Sequence, residues 1–495
     1  MKRGLVCIYA NTAALLFLAA YLSLLPLLTI VHDLRDPALR TGGTPRLAFR
    51  WHRALSADYE DWARERVASG QAKTLNTYDI SGTEWPMFGS VFYLWATEAL
   101  QEAWEADPGL APTMPAEYAR GAIEAAASLV ADPGNAAWVR AHWGDDYLTQ
   151  ENLFYRTLLI SGLTGYQHLL KDDRYEPLLQ QQVTSLAIEI DRSPYGLVDD
   201  YPGECYPIDV LPAIAAIQRA DQVLGTDHGD FVARAIRAFE GERLDPRTDL
   251  PPFAADSRTG RVYGSARGVG VFMLIWMPEL WPEEAEIFYD RFEIHFWQPG
   301  DLVSGFREYP HSISTCDWWF WDVDAGPILA GYGTAASAFG IGAARANGRL
   351  DHGYPLSAEA LVASWPLPDG TLLGPRMVSD LTDAPYVGEA ALLFSLTRTP
   401  VVGSVVAGDG PLPRVVWMGL AFYALQGGVI ILWALGLAWR WRRPPARSVS
   451  IAAAGLWGLL LVAGLLALLA GRLVIALLLM VLAQSVAVIA MRRSR

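Results

Sequence analysis

Two stretches of this chain set acids and aromatics side by side. The first, Tyr195–Asp209, holds Asp199, Asp200, Glu204 and Asp209, with Tyr195, Tyr201, Tyr206 and Cys205 among them. Pro202-Gly203 forces a turn in its middle, so the carboxyls gather where a helical pattern begins near residue 207. Neighbouring carboxyls share protons and split their pKa values, and such a pair can supply a general acid and a general base at neutral pH. Helix capping with a solvated loop is the competing reading. The second stretch, Tyr309–Pro327, places Trp318, Trp319, Phe320 and Trp321 between Asp317 and the pair Asp322/Asp324, with His311 just upstream. Aromatic faces suit a sugar ring or a developing carbocation. Consecutive aromatics cannot all face one side of a regular element, so some are expected to line a cavity or cap the fold; a plugging loop is the alternative.

The candidate catalytic residues are therefore Asp199, Glu204, Cys205, Asp209, Asp322 and Asp324. Candidates for substrate contact are Tyr201, His311, Trp318, Trp319 and Trp321 from these loops, and Glu84, Trp85, Glu151 and Arg267 from other helix starts. Thr83 is a candidate N-cap ahead of Glu84-Trp85-Pro86. Stabilisation of a helix first turn is the simpler role for Glu84 and Glu151, and a salt bridge for Arg267. Of the three cysteines, Cys7 falls in an apolar run, while Cys205 and Cys316 lie in the two acidic loops, either as a disulfide or as two thiols. The eight histidines are scattered, with no His-Glu-x-x-His and no Cys-x-x-Cys. No metal or cofactor is expected, a calcium site built from Asp and Glu alone staying open. P-loop, dinucleotide-binding and Gly-x-Ser-x-Gly signatures are also absent.

The elements that must position these residues are mostly helical. In 151–170 the apolar positions Tyr155, Leu159, Leu163, Tyr166 and Leu170 form one stripe, and Tyr175, Leu178, Leu179, Val183, Leu186 and Ile190 form the next. Similar periods cover 58–70, 84–105, 114–131, 207–224, 228–240, 265–279, 282–297, 326–346, 356–364 and 385–397. About twelve helices in successive hairpins predict an all-α fold, an (α/α)6 toroid whose inner helices start near 84, 151, 207, 265, 326 and 385. Small residues along two of these, Ser161, Gly162 and Gly165 in one and Gly331, Gly333, Ala336, Gly340 and Ala344 in the other, fit close packing. A small β-hairpin is predicted over 251–263, turning at Asp256–Gly260.

The ends of the chain are different. Leu5–Val31 is uncharged and longer than the roughly 20 residues that span a bilayer; an uncleaved anchor is expected rather than a signal peptide. Val415–Trp439, Ser448–Ala470 and Leu473–Met491 are three further candidates, which gives four transmembrane helices. Lys2 and Arg3, then Arg440, Arg442, Arg443 and Arg447, then Arg492, Arg493 and Arg495, all fall on one side if all four spans form. The positive-inside rule makes that side cytoplasmic. The expected organisation is an anchor at 1–31, an exported domain at 32–414 and three spans at 415–495. The main domain would lie on the periplasmic or extracellular side of a bacterial-type plasma membrane. The whole chain of 495 residues carries 39 Lys+Arg and 53 Asp+Glu, net −14. Ten of the bases and none of the acids lie in the terminal regions, which leaves 32–414 at −24. So acidic a domain argues against nucleic acid as a partner. The lipid bilayer and a small molecule or glycan are the expected partners.

The exported region resembles the linalool dehydratase/isomerase family. The matching stretches are Glu151–Arg156, Asp172–Glu176, Leu197–Asp209, Leu224–Asp227 and Asp322–Gly348, within roughly residues 60–365. The resemblance implies an (α/α)6 barrel and cofactor-free acid–base chemistry on allylic terpene alcohols, and membrane-anchored isomerases with similar domains are known. Four positions depart from the family pattern. Leu158 stands where the family has a histidine. Asp199 and the neighbourhood of Ile208 stand where it has two cysteines, so that Cys205 matches only if the loop is shifted. Arg267 replaces a tyrosine. Three functions follow as expectations: a lyase or isomerase with Glu204 or Asp199 as acid; a glycan-active hydrolase or lyase, which rests on fold analogy; or a non-catalytic envelope binding protein.

Overall fold

The computed structural model describes residues 12–76, 79–313, 319–322, 324–401, 403–440, 456–464, 479–480, 482–483 and 486. It is mostly helical and divides into two units, Ile30–Met418 and the two terminal segments Met1–Thr29 and Gly419–Arg495.

In the larger unit the main helices are α1 (Arg46–Ser69), α2 (Ile80–Ala106), α3 (Arg120–Ala131), α4 (Leu153–Leu170), α5 (Glu176–Arg192), α6 (Pro207–Leu224), α7 (Gly229–Ala235), α8 (Pro282–Phe296), α9 (Thr334–Ala346), α10 (Leu350–Ser364), α11 (Leu373–Ser379) and α12 (Val387–Leu396). Between α7 and α8 lies a 3-10 segment, Gly268–Ile275. Six segments touch in cyclic order: α2 with α4, α4 with α6, α6 with the 3-10 segment, that segment with α9, α9 with α12, and α12 back to α2. The remaining helices pack behind them: α3 against α2 and α4, α5 against α4 and α6, α8 against the 3-10 segment, α10 against α9, and α1 against α12 and α2.

Small residues set these approaches. A side chain on Gly162 would meet Val130 of α3, and one on Gly342 would meet Ile275 and Ser395. The segment 265–279 is 3-10 rather than the predicted α-helix. Gly268 and Gly270 alternate there with β-branched Val269 and Val271, a poor helix sequence. Its start is held from outside: the Gly268 amide donates to the Glu308 carbonyl (2.8 Å), and a Cβ on Gly268 would collide with the Arg307 carbonyl.

Helix α2 starts at Ile80, four residues before Glu84, because the Asp79 side chain caps it by accepting from the Gly82 amide. Pro86 is therefore inside the helix. It cannot donate to the carbonyl four residues back, that of Gly82, and the Arg66 guanidinium donates to that carbonyl instead.

The strands lie elsewhere than predicted. The stretch 251–263 keeps its turn but only one bridge pair across it, Ala255 with Val262. The ladders fall in 297–333: β1 (Trp297–Gln298) with β2 (Gly305–Phe306), and an antiparallel sheet of β3 (Trp319–Asp322), β4 (Gly326–Leu329) and β5 (Tyr332–Gly333). The predicted helix over 326–346 thus begins only at Thr334, since Gly326, Gly331 and Ala330 take positive φ and no helix propagates through such residues.

Thr12–Asp33 and Arg414–Gly436, most of whose residues belong to the other unit, are long and apolar enough to cross a membrane. Their terminal-unit parts pack together: Leu15 meets Ala434, Gly427 admits Leu24, and Ser23 donates to Gln426 (3.1 Å). A small residue and one polar pair at the contact are what helix association in lipid favours. The expected spans Ser448–Ala470 and Leu473–Met491 lie for the most part outside the described residues; the described piece 456–464 is helical.

Candidate active site

The loop before α6 folds into a tight hairpin. Tyr201 and Glu204 exchange backbone hydrogen bonds (2.8 and 3.2 Å) around Pro202 and Gly203, with Gly203 at φ +82°, as a Pro-Gly turn of type II requires. The Asp199 carboxylate accepts from the Gly203 amide (3.0 Å) and its carbonyl from Leu153 (3.1 Å). Asp199 is therefore a buried residue that builds the turn. The hairpin swings Tyr201 toward α2, where its hydroxyl donates to Glu84 Oε1 at 2.5 Å. Asp209 sits in the first turn of α6.

Glu84, Tyr201 and Asp209 are each half-buried. Burial raises Glu84 to about 7, against the Tyr201 hydrogen bond, with the Asp324 charge adding to it. Burial also raises Asp209 to about 7, helped by the charges of Asp324 and Glu84. A helix N-terminus favours a carboxylate by only about 0.3–1 kcal/mol, so desolvation wins. Asp200 is pushed well up by burial and by Asp209; one of its oxygens accepts from the Tyr206 amide (2.9 Å) and the other has no partner. Below them, Asp209 lines a small cavity with Phe88, Trp95, Phe154, Thr157, Leu158, Pro212 and Phe272. Its free volume is about 20 Å³, room for one water. Phe92, Trp276, Phe339 and Phe394 extend this aromatic floor across the ring of helices, with centroids 4.7–6.4 Å apart.

The second acidic loop is wired to a cation. Arg267 reaches Glu308 Oε1 (2.6 Å), Asp322 Oδ1 (2.9 Å) and Asp324 Oδ2 (3.7 Å), with its guanidinium 4.4 Å from the Phe253 ring centre. Burial works to raise Asp322, but the Ala325 and Asp324 amides together with Arg267 hold it below the usual range. Asp324 is half-exposed and raised by burial and by Asp322. Glu308 is fully buried; burial lifts it to about 7 in spite of Arg267, and its second oxygen has no partner.

The structure brings together Glu84, Tyr201, Asp209 and Asp324, with Asp322 and Arg267 beside them. Other expected site residues fall away from the cavity. Glu204 is exposed and accepts from the Tyr206 hydroxyl (3.0 Å), and it does not line the cavity. Cys205 is a buried free thiol that burial and the charges of Asp200, Asp199 and Asp209 push far up, so it lacks the thiolate a nucleophile requires. Cys316, its suggested partner, and Trp318 lie outside the described residues. Glu151 is half-buried at the start of α4 and raised by burial and Asp199, facing Arg258 and Glu189. Trp85 is half-buried. His311 is exposed, with Nε2 3.1 Å from the Trp297 carbonyl. Trp319 and Trp321 alternate outward along β3 and are 59% and 55% exposed, while Phe320 turns inward onto Tyr309.

Glu308 is a site residue that sequence reasoning missed, a single acid in no pattern. Phe88, Trp95 and Phe154 were legible only as helix core, although Glu84, Phe88 and Trp95 share one face of α2 by their spacing of four and seven. A scan against protein-family models finds no match, and a search of curated proteins finds none either.

Proposed function

We propose that the 30–418 unit is a cofactor-free lyase or isomerase of the linalool dehydratase/isomerase type, acting on an allylic, isoprenoid-like alcohol. The observation that carries this reading is the pair Glu84 and Asp209, two carboxyls raised to about 7, of which Asp209 lines a small aromatic cavity. Near neutral pH such a pair holds one proton. The protonated member gives it to the substrate hydroxyl, the C–O bond breaks, and water departs. The allyl cation left behind lies against aromatic faces such as Phe88, Phe154 and Phe272. The ionised member then removes a proton from the adjacent carbon, giving a diene, or water returns at the other end of the allyl system and loses its extra proton to that carboxylate, giving the isomer. Tyr201 orients Glu84 throughout. An isoprenoid is far larger than one water, so its entry must part these aromatic walls.

The same proposal takes the cyclic contact order of the six inner segments as an (α/α)6 toroid. It places the domain outside a plasma membrane, held by four spans with both termini cytoplasmic, on the strength of the three basic clusters and the two apolar helices. A glycan-active reading draws on the outward Trp319 and Trp321; neither lines the cavity that Asp209 lines, and that cavity is mostly apolar.

The test is turnover by the full chain in lipid nanodiscs on a panel of allylic alcohols and oligosaccharides, with Glu84→Gln alongside. Conversion of an alcohol that Glu84→Gln abolishes supports the proposal. Cleavage of an oligosaccharide, or alcohol conversion that survives in Glu84→Gln, overturns it.

A further inference from the structure

Glu98 and Glu102 lie 14 and 18 positions beyond Glu84 on α2, about 21–27 Å along the helix at 1.5 Å per residue. At this far end α2, α4, α6 and the short helix Met277–Leu280 surround a second and much larger cavity of about 730 Å³, within the roughly 300–1,000 Å³ range of small-molecule sites. Its walls are polar where the first is aromatic, and Val223 is the one apolar side chain among the residues that line it.

Part of this lining is already committed. Arg219 spends its fork on both oxygens of Glu279 (2.6 and 3.0 Å), stacked over Trp276. His168 Nδ1 sits 3.1 Å from Glu98, whose carboxyl raises it. Other groups remain open. Glu102, Asp173, Lys171 and Gln222 are exposed at its rim, where no side-chain hydrogen bond or ion pair to another described residue engages them, although the charges of Glu98, Arg219 and His168 act on Glu102. Thr164 is 4% exposed and lines the same cavity, and its hydroxyl has no hydrogen-bond partner. A buried hydroxyl without a partner is destabilising, and a ligand group would relieve that cost.

We propose that this cavity is a second binding site, for a small neutral polyhydroxylated molecule of the sugar or polyol class. The open groups decide the class. Carboxylates only accept, an ammonium only donates, and amides and hydroxyls do both. A ligand whose groups each donate and accept satisfies all of them together. An anion would face Glu102, Asp173 and the Glu98 carboxyl. A cation would meet Lys171 and the Arg219 pair. An isoprenoid would strand every polar group on the wall. This site does not depend on the reading of the carboxyl pair at the other end.

The experiment is calorimetric titration of the full chain in lipid nanodiscs, free of sugar detergents, with glucose, trehalose and maltose, and with spermidine and citrate as charged comparators. Saturable binding of at least one sugar is expected. Thr164→Val and Glu102→Gln should each weaken it about tenfold, about 1.4 kcal/mol, with unchanged circular dichroism. Thr164→Ser should restore it, and turnover at the carboxyl pair should be unaltered in all three variants. Absence of saturable binding by every sugar, preference for spermidine or citrate, or sugar binding indifferent to both variants overturns the proposal.

Discussion

The loop before α6 and the loop carrying β3 and β4 have similar compositions, several acids set among aromatics, yet they hold their acids in opposite states. Asp209 and Asp200 in the first have no cation within reach, and burial drives them up. Asp322 in the second accepts from two backbone amides and faces Arg267, and it is driven down although it too is partly buried. Glu308, on the same cation, shows how finely the terms balance. It touches Arg267 at 2.6 Å and still rises to about 7, because it is fully buried and one of its oxygens finds nothing. The number of carboxyls in a loop therefore says little about its chemistry. What decides it is whether the donors and cations around each carboxyl outweigh its loss of water.

The strongest way to break this contrast is to neutralise the uncompensated acids one at a time. Glu84→Gln and Asp209→Asn keep shape and remove the proton donor or acceptor. Each should lower turnover of an allylic alcohol about 10²–10⁴-fold with the circular dichroism spectrum unchanged. Because the two act as one pair, the double variant should lose little more than either single one. Additive losses would show that they do not share a proton.

The compensated side should respond in stability instead. Arg267→Met leaves Glu308 buried without its cation, and breaking such a pair costs about 3–5 kcal/mol. Glu308 escapes part of that cost by taking up a proton, so the loss measured by denaturant unfolding should be smaller at pH 5.5 than at pH 8. A loss equal at both would mean that Arg267 acts by packing on Phe253 rather than by charge.

How much of this contrast the amino-acid order carries can be judged from particular residues. The acids of both loops, and the helices behind them, follow from spacing and turn residues; Asp209 in a helix first turn and Pro202-Gly203 at the bend need nothing more. What could not be read was the partner of each acid. Tyr201 meets Glu84 across 117 positions and Arg267 meets Glu308 across 41, pairings that only the ring of helices creates. The strands at 319–333 were hidden for a local reason: they are two to four residues long, and their glycines imitate a small-residue helix face. Glu204 was over-read because it stands among carboxyls in the amino-acid order, where nothing local tells that its side chain is exposed while that of Asp200 is buried.

A pH series would sharpen the comparison with smaller effects. Glu84 and Asp209 have folded values near 7, above the ordinary carboxylate value they regain on unfolding. The folded chain thus binds more protons between about pH 4 and 7. The stability this confers is complete below the unfolded value and is lost as pH rises through 7, so the melting temperature should fall from pH 5 to pH 8. Asp322 has the opposite sign: its contribution is present above the ordinary carboxylate value and is lost as pH falls below it. The Glu84→Gln, Asp209→Asn double variant should make the neutral limb shallower, Glu308 and Glu359 with values near 7 keeping the rest of it, and leave the acid limb in place. An unaltered neutral limb would remove the two buried acids as its source.

The smallest effect belongs to the acid that the loop displays most openly. Glu204 is exposed, and its one side-chain partner is the hydroxyl of Tyr206 two residues away. Its backbone, not its carboxyl, closes the hairpin by bonding Asp200 and Tyr201. Glu204→Gln keeps that backbone and keeps an acceptor for Tyr206, so turnover should change less than about threefold and stability by less than about 0.5 kcal/mol. A loss on the scale of Glu84→Gln would place the proton transfer at the mouth of the site, and the buried pair would then owe its raised values to packing alone.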